Sequence, residues 1–564
     1  MVKILRESIV ELSGRERAEK IVDSGTFREL ISPYEGVESP HLEKQGIVPQ
    51  SDDGVIVGLG NINDQKTVVI SIEGEFQGGG IGEVSGAKIA GALDRALEDC
   101  KSGNRVIPII LFDTGGVRLQ EANYGLLSIA EIHAAIVALR EYVPVIAVIP
   151  GKVGAFGGMS ITAGLCSTII MTREGRLALN GPEVIEQEAG IREFDSSDRI
   201  LTWRSLGGEQ RFESGFADIL IEDDLAELKE VLKNIIAGEN PNHEAKTTLI
   251  SRFEAILHSF DPQEKLSPEQ AVELIQHTNS KGKVLFEQSS QSIPDRLGRG
   301  NVWFDLLRGD AEEKGDIPSV RIADSELFGK KVRYIAVVPD PNSPFPRARN
   351  GEVGLREGWS IAKHVWNAIE EDRGKEKRVF VPIVDVPSQA FGYNEELLGI
   401  HLACAAAVNA YAAARMAGHP VIAFIPGKAI SGAFLSHGLQ SNRLIALRDK
   451  GVHVHVMSKE SAAIITERTL EELEEVTKKI PAMAYDIESF ASLGALHSLV
   501  EGVDADHPTE KDREIIYHEL HQTILEIEKS GDNDLKIRLT NQVAKNSGRV
   551  ATNIVRKKLE EQWI

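Results

Sequence analysis

Cysteine is scarce: three residues in 564, Cys100, Cys166 and Cys404, stand far apart with no paired spacing. That excludes a disulfide framework and a zinc ribbon, and a reducing, cytoplasmic setting is the expectation. Long apolar runs are missing as well. The longest, such as Val143 to Pro150, fall far short of the ~20 residues that cross a bilayer. The N-terminal Met1-Val-Lys-Ile-Leu-Arg-Glu-Ser has no basic segment leading into an apolar stretch and cleavage site. Basic charge is in deficit, 63 Lys and Arg against 85 Asp and Glu for a net charge of −22. General affinity for nucleic acid or an anionic membrane is therefore not expected, although a local cluster of donors can still bind an anion. Several catalytic signatures are absent: Gly-x-Ser-x-Gly, His-Glu-x-x-His, Cys-x-x-Cys, a Walker loop and a complete Gly-x-Gly-x-x-Gly. The usual nucleophile, metal, nucleotide and dinucleotide classes lose support, and no metal site is expected.

What is there is a duplication. Pro144-Val-Ile-Ala-Val-Ile-Pro-Gly-Lys152 returns as Pro420-Val-Ile-Ala-Phe-Ile-Pro-Gly-Lys428, eight of nine residues identical at an offset of 276. Further landmarks follow: Gly82-Glu-Val84 with Gly351-Glu-Val353 at 269, Asp113 with Asp385 at 272, Gly175 with Gly451 at 276, Phe212 and Ser214 with Phe490 and Ser492 at 278. A monotonic drift reads as duplication with small insertions, and a period this long makes each copy a whole domain rather than a solenoid repeat. We expect domains at 1–285 and 290–564, with a polar connector over about 238–317.

Each half alternates strand and helix patterns, which predicts an α/β fold. In the first, strands are expected at Gly54–Gly58, Thr67–Ile72, Val106–Phe112 and Val145–Ile149, with helices at Ser85–Cys100 and Leu126–Tyr142. In the second, strands are expected at Val332–Val338, Val379–Val384 and Val421–Ile425, with helices at Trp359–Glu371 and Leu397–Ala417. The tail predicts helices over Glu514–Lys529 and Ile537–Glu561, a solvated extension packed on the core.

In both halves an apolar strand ends in Ile-Pro-Gly-Lys and is followed by a turn of small residues, Gly157-Gly158 in one and Ser431-Gly432-Ala433 in the other. Amides at a helix start lack partners and sit at the positive end of the dipole, so such a turn can bind an anion. Two amides converging on one oxygen would make an oxyanion hole. Glycine also serves simply to let helix and strand approach closely, but equivalent turns in two copies favour the functional reading.

These residues carry a resemblance. Phe112-Asp-Thr-Gly-Gly-Val-Arg-Leu-Gln-Glu-Ala-Asn, Gly154-Ala-Phe-Gly-Gly-Met-Ser and Leu179-Asn-Gly-Pro-Glu-Val-Ile-Glu-Gln-Glu-Ala-Gly resemble the beta subunit of malonate decarboxylase. Tyr334-Ile-Ala-Val-Val-Pro-Asp-Pro-Asn, Arg349-Asn-Gly-Glu-Val-Gly, Val384-Asp-Val-Pro-Ser-Gln-Ala-Phe-Gly and Gly427-Lys-Ala-Ile-Ser-Gly-Ala-Phe resemble its gamma subunit. The resemblance implies tandem crotonase-like domains of the carboxyltransferase superfamily, built as ββα spirals, in a beta–gamma fusion. It implies decarboxylation of malonyl-S-acyl carrier protein to the acetyl thioester, in malonate catabolism, without biotin. The substrate would hang on the carrier's modified dephospho-CoA arm. Implied partners are the carrier subunit and the acetyl-/malonyl-transferase subunit, in an oligomer.

Matching the superfamily pattern puts one hole at Gly157 and Gly158 and the other at Gly432 and Ala433. The enolate left by carbon dioxide must be protonated, and the candidates are His437, Glu352, Tyr124 and Gln389, the last as a water-positioning group. Gly78, Gly79, Gly80 and Gly82 could receive the carrier arm or form a plain tight turn. Lys152 and Lys428 could bind the arm's phosphates or simply be solvated. Asp113 and Asp385 follow strands, where Asp commonly satisfies local amides, and no catalytic role is expected of them. Two alternatives compete: transfer of the carboxyl group to biotin on a separate carrier, and a non-catalytic scaffold for acyl carrier protein.

Overall fold

The computed structural model describes residues 6–238, 245–278, 298–466 and 468–563. The chain forms two compact units: Met1–Thr248 with Ser267–Gln276 and Val550–Ile564, and Leu249–Leu266 with His277–Arg549. Residues 239–244 and 279–297, the polar heart of the expected connector, lie outside the described residues.

The first unit is a seven-stranded sheet in sequence order: β1 (Arg28–Leu30), β2 (Val55–Ile62), β3 (Gln65–Ile72), β4 (Ile107–Leu111), β5 (Ile146–Ile149), β6 (Thr168–Thr172) and β7 (Ile219–Ile221). β1 to β3 pair antiparallel and β3 to β7 parallel. β4, β5 and β6 are buried at every position, as expected for parallel strands covered on both faces. Helices α1 (Glu83–Lys101), α2 (Ala122–Leu139) and α3 (Gly158–Leu165) follow β3, β4 and β5. The stretch Leu119–Leu139 is long and apolar enough to cross a membrane, but 89% of its most apolar 18-residue window is buried inside the unit. Its apolarity is that of a core helix.

A second, shorter layer stands beyond the strand ends. It is held by bridges between Ile81 and Val117, Thr114 and Ala155, and Ala155 and Leu177. Strand, short second-layer strand, then helix is the ββα repeat of the crotonase-like fold.

The second unit repeats it with β8 (Val320–Leu327), β9 (Lys330–Val337), β10 (Val379–Ile383), β11 (Ile422–Ile425), β13 (Arg443–Leu447) and β15 (Ser498–Val500) in one sheet, and β12 (Lys428–Ile430) with β14 (His453–His455) in the second layer. Its helices α4 (Leu355–Glu371), α5 (Ile400–Met416) and α6 (Ser431–Ser436) follow β9, β10 and β12.

Backbone pairing corrects one landmark. The bridge Ile81–Val117 recurs as Val353–Gln389, so both strands are offset by 272 (353 − 81 and 389 − 117). The N-caps agree: Gly82 has φ −111° and ψ −152°, Gly354 φ −106° and ψ −162°. Gly82 therefore corresponds to Gly354 and not to Gly351. The Gly-Glu-Val match at 269 is a coincidence of three residues at the end of a longer loop in the second copy.

The tail also departs from expectation. Glu510–Ser530 is helical as predicted, but the stretch from Ile537 breaks into Ile537–Thr540, a π-turn Ala544–Gly548, and Val550–Gln562. At the break the backbone passes so close to its neighbour that only glycine fits: a Cβ at Gly548 would lie 2.4 Å from the Leu493 carbonyl carbon. Helix Val550–Gln562 belongs to the first unit, which differs from the division at 285–290. Thr552 donates through N–H and Oγ1 to Glu83 Oε1 at 3.0 and 3.1 Å, and Arg556 reaches Asp94 at 2.5 Å and Glu131 at 2.9 Å.

Candidate functional site

The first-unit turn is built from two loops whose backbones touch. A Cβ at Gly116 would lie 3.2 Å from Gly157 Cα, and one at Gly157 would lie 3.4 Å from Gly116 Cα. Gly157 has φ 55° and ψ −143°, a conformation that is essentially reserved for glycine. Its N–H, however, donates to Leu179 O at 3.0 Å. This corrects the expectation that Gly157 is a donor in a hole: the second-layer ladder already uses its amide. Gly158, the first residue of α3, has no acceptor for its N–H among the described residues.

A second open amide lies beside it, at Val117. Ile81 N–H donates to Gly116 O at 2.8 Å and Arg118 N–H to Ile81 O at 2.9 Å. Alternation along the ladder turns the Val117 N–H to the opposite edge, the one that carries Ala155. No described residue accepts it. The amide between, on Gly116, is closed by Thr114 Oγ1 at 3.0 Å. Arg118 anchors this strand from behind, bonding Asp53 Oδ1 at 2.5 Å and Glu121 Oε2 at 2.8 Å in full burial. Burial lifts the Asp53 carboxyl above its ordinary range even with Arg118 beside it.

The second unit differs at the same place. Ser431, φ 61°, takes the position of Gly157, so Gly432 corresponds to Gly158. Gly432 N–H donates to the side chain of Gln389, the counterpart of Val117, at 3.0 Å. Ala433 N–H has no acceptor among the described residues. The two-amide holes drawn from sequence thus each hold one closed and one open donor. Gln389 is drawn in as an acceptor for the turn, and a water-positioning role is not what this contact supplies.

The remaining candidates separate. His437 is fully buried, with Nδ1 3.1 Å from Tyr411 Oη and Nε2 3.1 Å from Ile383 O. Burial pushes it down to about 4, so it is a neutral core histidine and not a proton donor at neutral pH. This corrects the sequence expectation, which rested on its closeness to Gly432 in the chain. Glu352 accepts from Asn350 N–H at 2.7 Å and from Asn350 Nδ2 at 3.0 Å, and so closes its own loop. Tyr124 is buried with its ring stacked on His41 at 4.8 Å. His41 in turn meets Glu83 at 2.6 Å.

Gly79, Gly80 and Gly82 are packing glycines. A Cβ would lie 2.0 Å from Asp113 O at Gly79, 3.0 Å from Arg118 Cα at Gly80 and 2.2 Å from Glu121 Oε2 at Gly82. Gly78 alone has open space around it. Lys152 pairs with Glu75 at 2.9 Å, whereas Lys428 is exposed in β12. Asp113 and Asp385 take the structural role expected. Asp113 accepts from Val153 N–H at 2.8 Å and from Arg17 at 2.9 Å. Asp385 accepts from Lys428 N–H at 3.0 Å and Gly300 N–H at 2.9 Å.

Three residues at the first turn escaped sequence reasoning. Val117 carries an apolar side chain, and only its backbone matters. Ser160 and His133 bond carbonyls of the turn: Ser160 Oγ donates to Gly157 O at 2.7 Å, and His133 Nε2 lies 3.2 Å from Gly158 O and 3.0 Å from Thr162 Oγ1. Burial pushes His133 down to about 3, so its ring is neutral. A histidine on a largely apolar helix was the available signal.

Comparison with known proteins identifies the family of each half. The carboxyl transferase domain model matches residues 11–291, and the malonate decarboxylase gamma subunit model matches residues 348–563. The malonyl-S-ACP:biotin-protein carboxyltransferase MADC of Malonomonas rubra is 42% identical over 251 residues, 43% of this chain and 78% of that protein. Its counterpart MADD is 42% identical over 167 residues, 29% of this chain and 57% of that protein, so little more than half of MADD is spanned. A chain of a Pseudomonas malonate decarboxylase hetero-tetramer, solved in complex with malonate, is 52% identical; the match covers 48% of this chain and 97% of that one with a TM-score of 0.47. With a carboxyl transferase relative covered over most of its length and a gamma-subunit match in the other half, the chain belongs to the carboxyl transferase family and unites a malonate decarboxylase beta-type half with a gamma-type half in one polypeptide.

Proposed function

We propose that this chain decarboxylates a malonyl thioester carried on an acyl carrier protein, giving the acetyl thioester and carbon dioxide. The observation that carries the reading is the pair of open amides, Val117 and Gly158, on adjoining loops of the first unit. When the bond between the carboxylate carbon and C2 breaks, its electron pair passes into the thioester carbonyl and charge builds on that oxygen. Donors fixed at that oxygen before the bond breaks favour the transition state over the ground state. One proton then reaches C2, and the products balance as acetyl thioester plus carbon dioxide. The first turn is the better seat for the thioester oxygen, because at the equivalent amide of the second unit Gln389 already fills the place.

The substrate arm would be the carrier's modified dephospho-CoA group, with carrier and transferase subunits as partners in a cytoplasmic oligomer. Gly78, whose surroundings are open, is the one glycine of its turn with space to receive that arm. Neutral His437 and loop-bound Glu352 are set aside as acids, which leaves Tyr124 and a held water as the proton sources to test. A second reading, carboxyl transfer to biotin, draws on the names of MADC and MADD. The gamma-subunit match over residues 348–563 favours direct release. The deciding experiment is carbon dioxide release from malonyl-loaded carrier by this chain with avidin present. Release supports decarboxylation; no release until a biotinylated carrier is supplied, with avidin omitted, moves the assignment to carboxyl transfer.

A further inference from the structure

We infer that Ser160 is a positioning residue that strengthens the Gly158 donor through the peptide joining Gly157 to Gly158. This deepens the reading above and rests on it. Ser160 is fully buried. Its Oγ donates to Gly157 O at 2.7 Å, and its N–H donates to the same oxygen at 3.0 Å. That carbonyl and the Gly158 N–H are the two ends of one amide. Hydrogen bonds that draw electron density onto the oxygen leave the nitrogen end more positive, a polarisation of about 10–30% per bond. They also fix the peptide plane, so that the donor is aligned before charge develops. The following plane is fixed as well: Thr162 Oγ1 donates to Gly158 O at 3.2 Å, with His133 Nε2 at the same distance.

The second unit keeps only half of this device. Ser436 Oγ donates to Gly432 O at 2.7 Å, as Thr162 does to Gly158. The counterpart of Ser160 is Phe434, which has no hydroxyl. The polarising serine is therefore confined to the turn whose Gly158 amide is open. The Ser160 hydroxyl bonds nothing else among the described residues.

The test reads the carbonyl itself. Acetyl-CoA labelled with carbon-13 at the thioester carbonyl is bound to the full chain and its infrared band compared with the band in water. Wild type is expected to shift the band to lower frequency. Ser160→Ala is expected to lose roughly a quarter of that shift or more and to release carbon dioxide about tenfold more slowly, with KM within about twofold. Ser160→Cys, which keeps the volume and supplies a weak donor, should fall between, and it carries the test if the alanine variant does not fold. A wild-type shift retained in full by these variants would overturn the role of Ser160 alone, even if they melt at lower temperature. No shift in the wild type would overturn the reading of the turn, and this inference with it.

Discussion

Gln389 accepts the Gly432 N–H at 3.0 Å, while Val117, its counterpart in the first copy, leaves Gly158 N–H open. At this position one side chain decides whether the amide of the turn is closed or open. Gln389→Ala strips a buried amide of its acceptor, which costs about 1–2 kcal/mol. Urea unfolding should report a loss of that size.

Gly157 can be tested against Ser431. Both have φ near 60°; at Gly157 ψ is −143°, and a Cβ added in that conformation costs about 1–3 kcal/mol of strain. Relieving that strain would tilt the Gly158 amide. We expect Gly157→Ala to lower kcat by about two to three orders of magnitude, the usual loss for one oxyanion donor. Ser431→Ala, which already carries a Cβ, should change stability by less than about 0.5 kcal/mol. Steady-state carbon dioxide release and thermal melts check the pair.

Acid should unfold the chain through its buried imidazoles. Burial holds His133 and His455 at about 3 and His437 at about 4, against 6.5 when free. Between those limits the unfolded chain binds more protons, so stability rises with pH up to about 6.5 and is lost as pH falls toward 4. Each imidazole contributes a slope of at most about 1.4 kcal/mol per pH unit. Denaturant midpoints measured from pH 4 to pH 7 should show the slope, and His437→Gln should make it shallower.

The duplicated aspartates should differ in cost. Asp113 faces the buried Arg17, and the pair is closed from water on both sides. Asp113→Ala leaves that guanidinium without its carboxylate, at about 3–5 kcal/mol. Among the described residues Asp385 binds only backbone amides, and Asp385→Ala should cost about 1–3 kcal/mol. Unfolding of the two variants side by side is the measurement.

The duplication, the alternation of strands and helices and the two small-residue turns were legible because each is written in local residues: β-branched runs, Pro-Gly pairs, glycine after a strand. Which amides stay open was not legible. That depends on Leu179 O and on the Gln389 side chain, acceptors that only the second layer brings to the turns. The Gly82 register failed for the opposite reason: a three-residue identity looked local, but the backbone pairing of Ile81 with Val117, and of Val353 with Gln389, sets the true offset. His437 misled because closeness along the chain does not say which way a ring faces.

Helix Val550–Gln562 has a practical consequence for anyone who would separate the halves. Its Thr552, Arg556 and Trp563 satisfy Glu83, Asp94, Glu131 and Asp99, so a gene cut at the connector yields a first half lacking its own last piece. A frameshift within codons 550–564 would likewise injure the half encoded first. Functional complementation from two plasmids would require that segment to be grafted back onto the fragment that needs it.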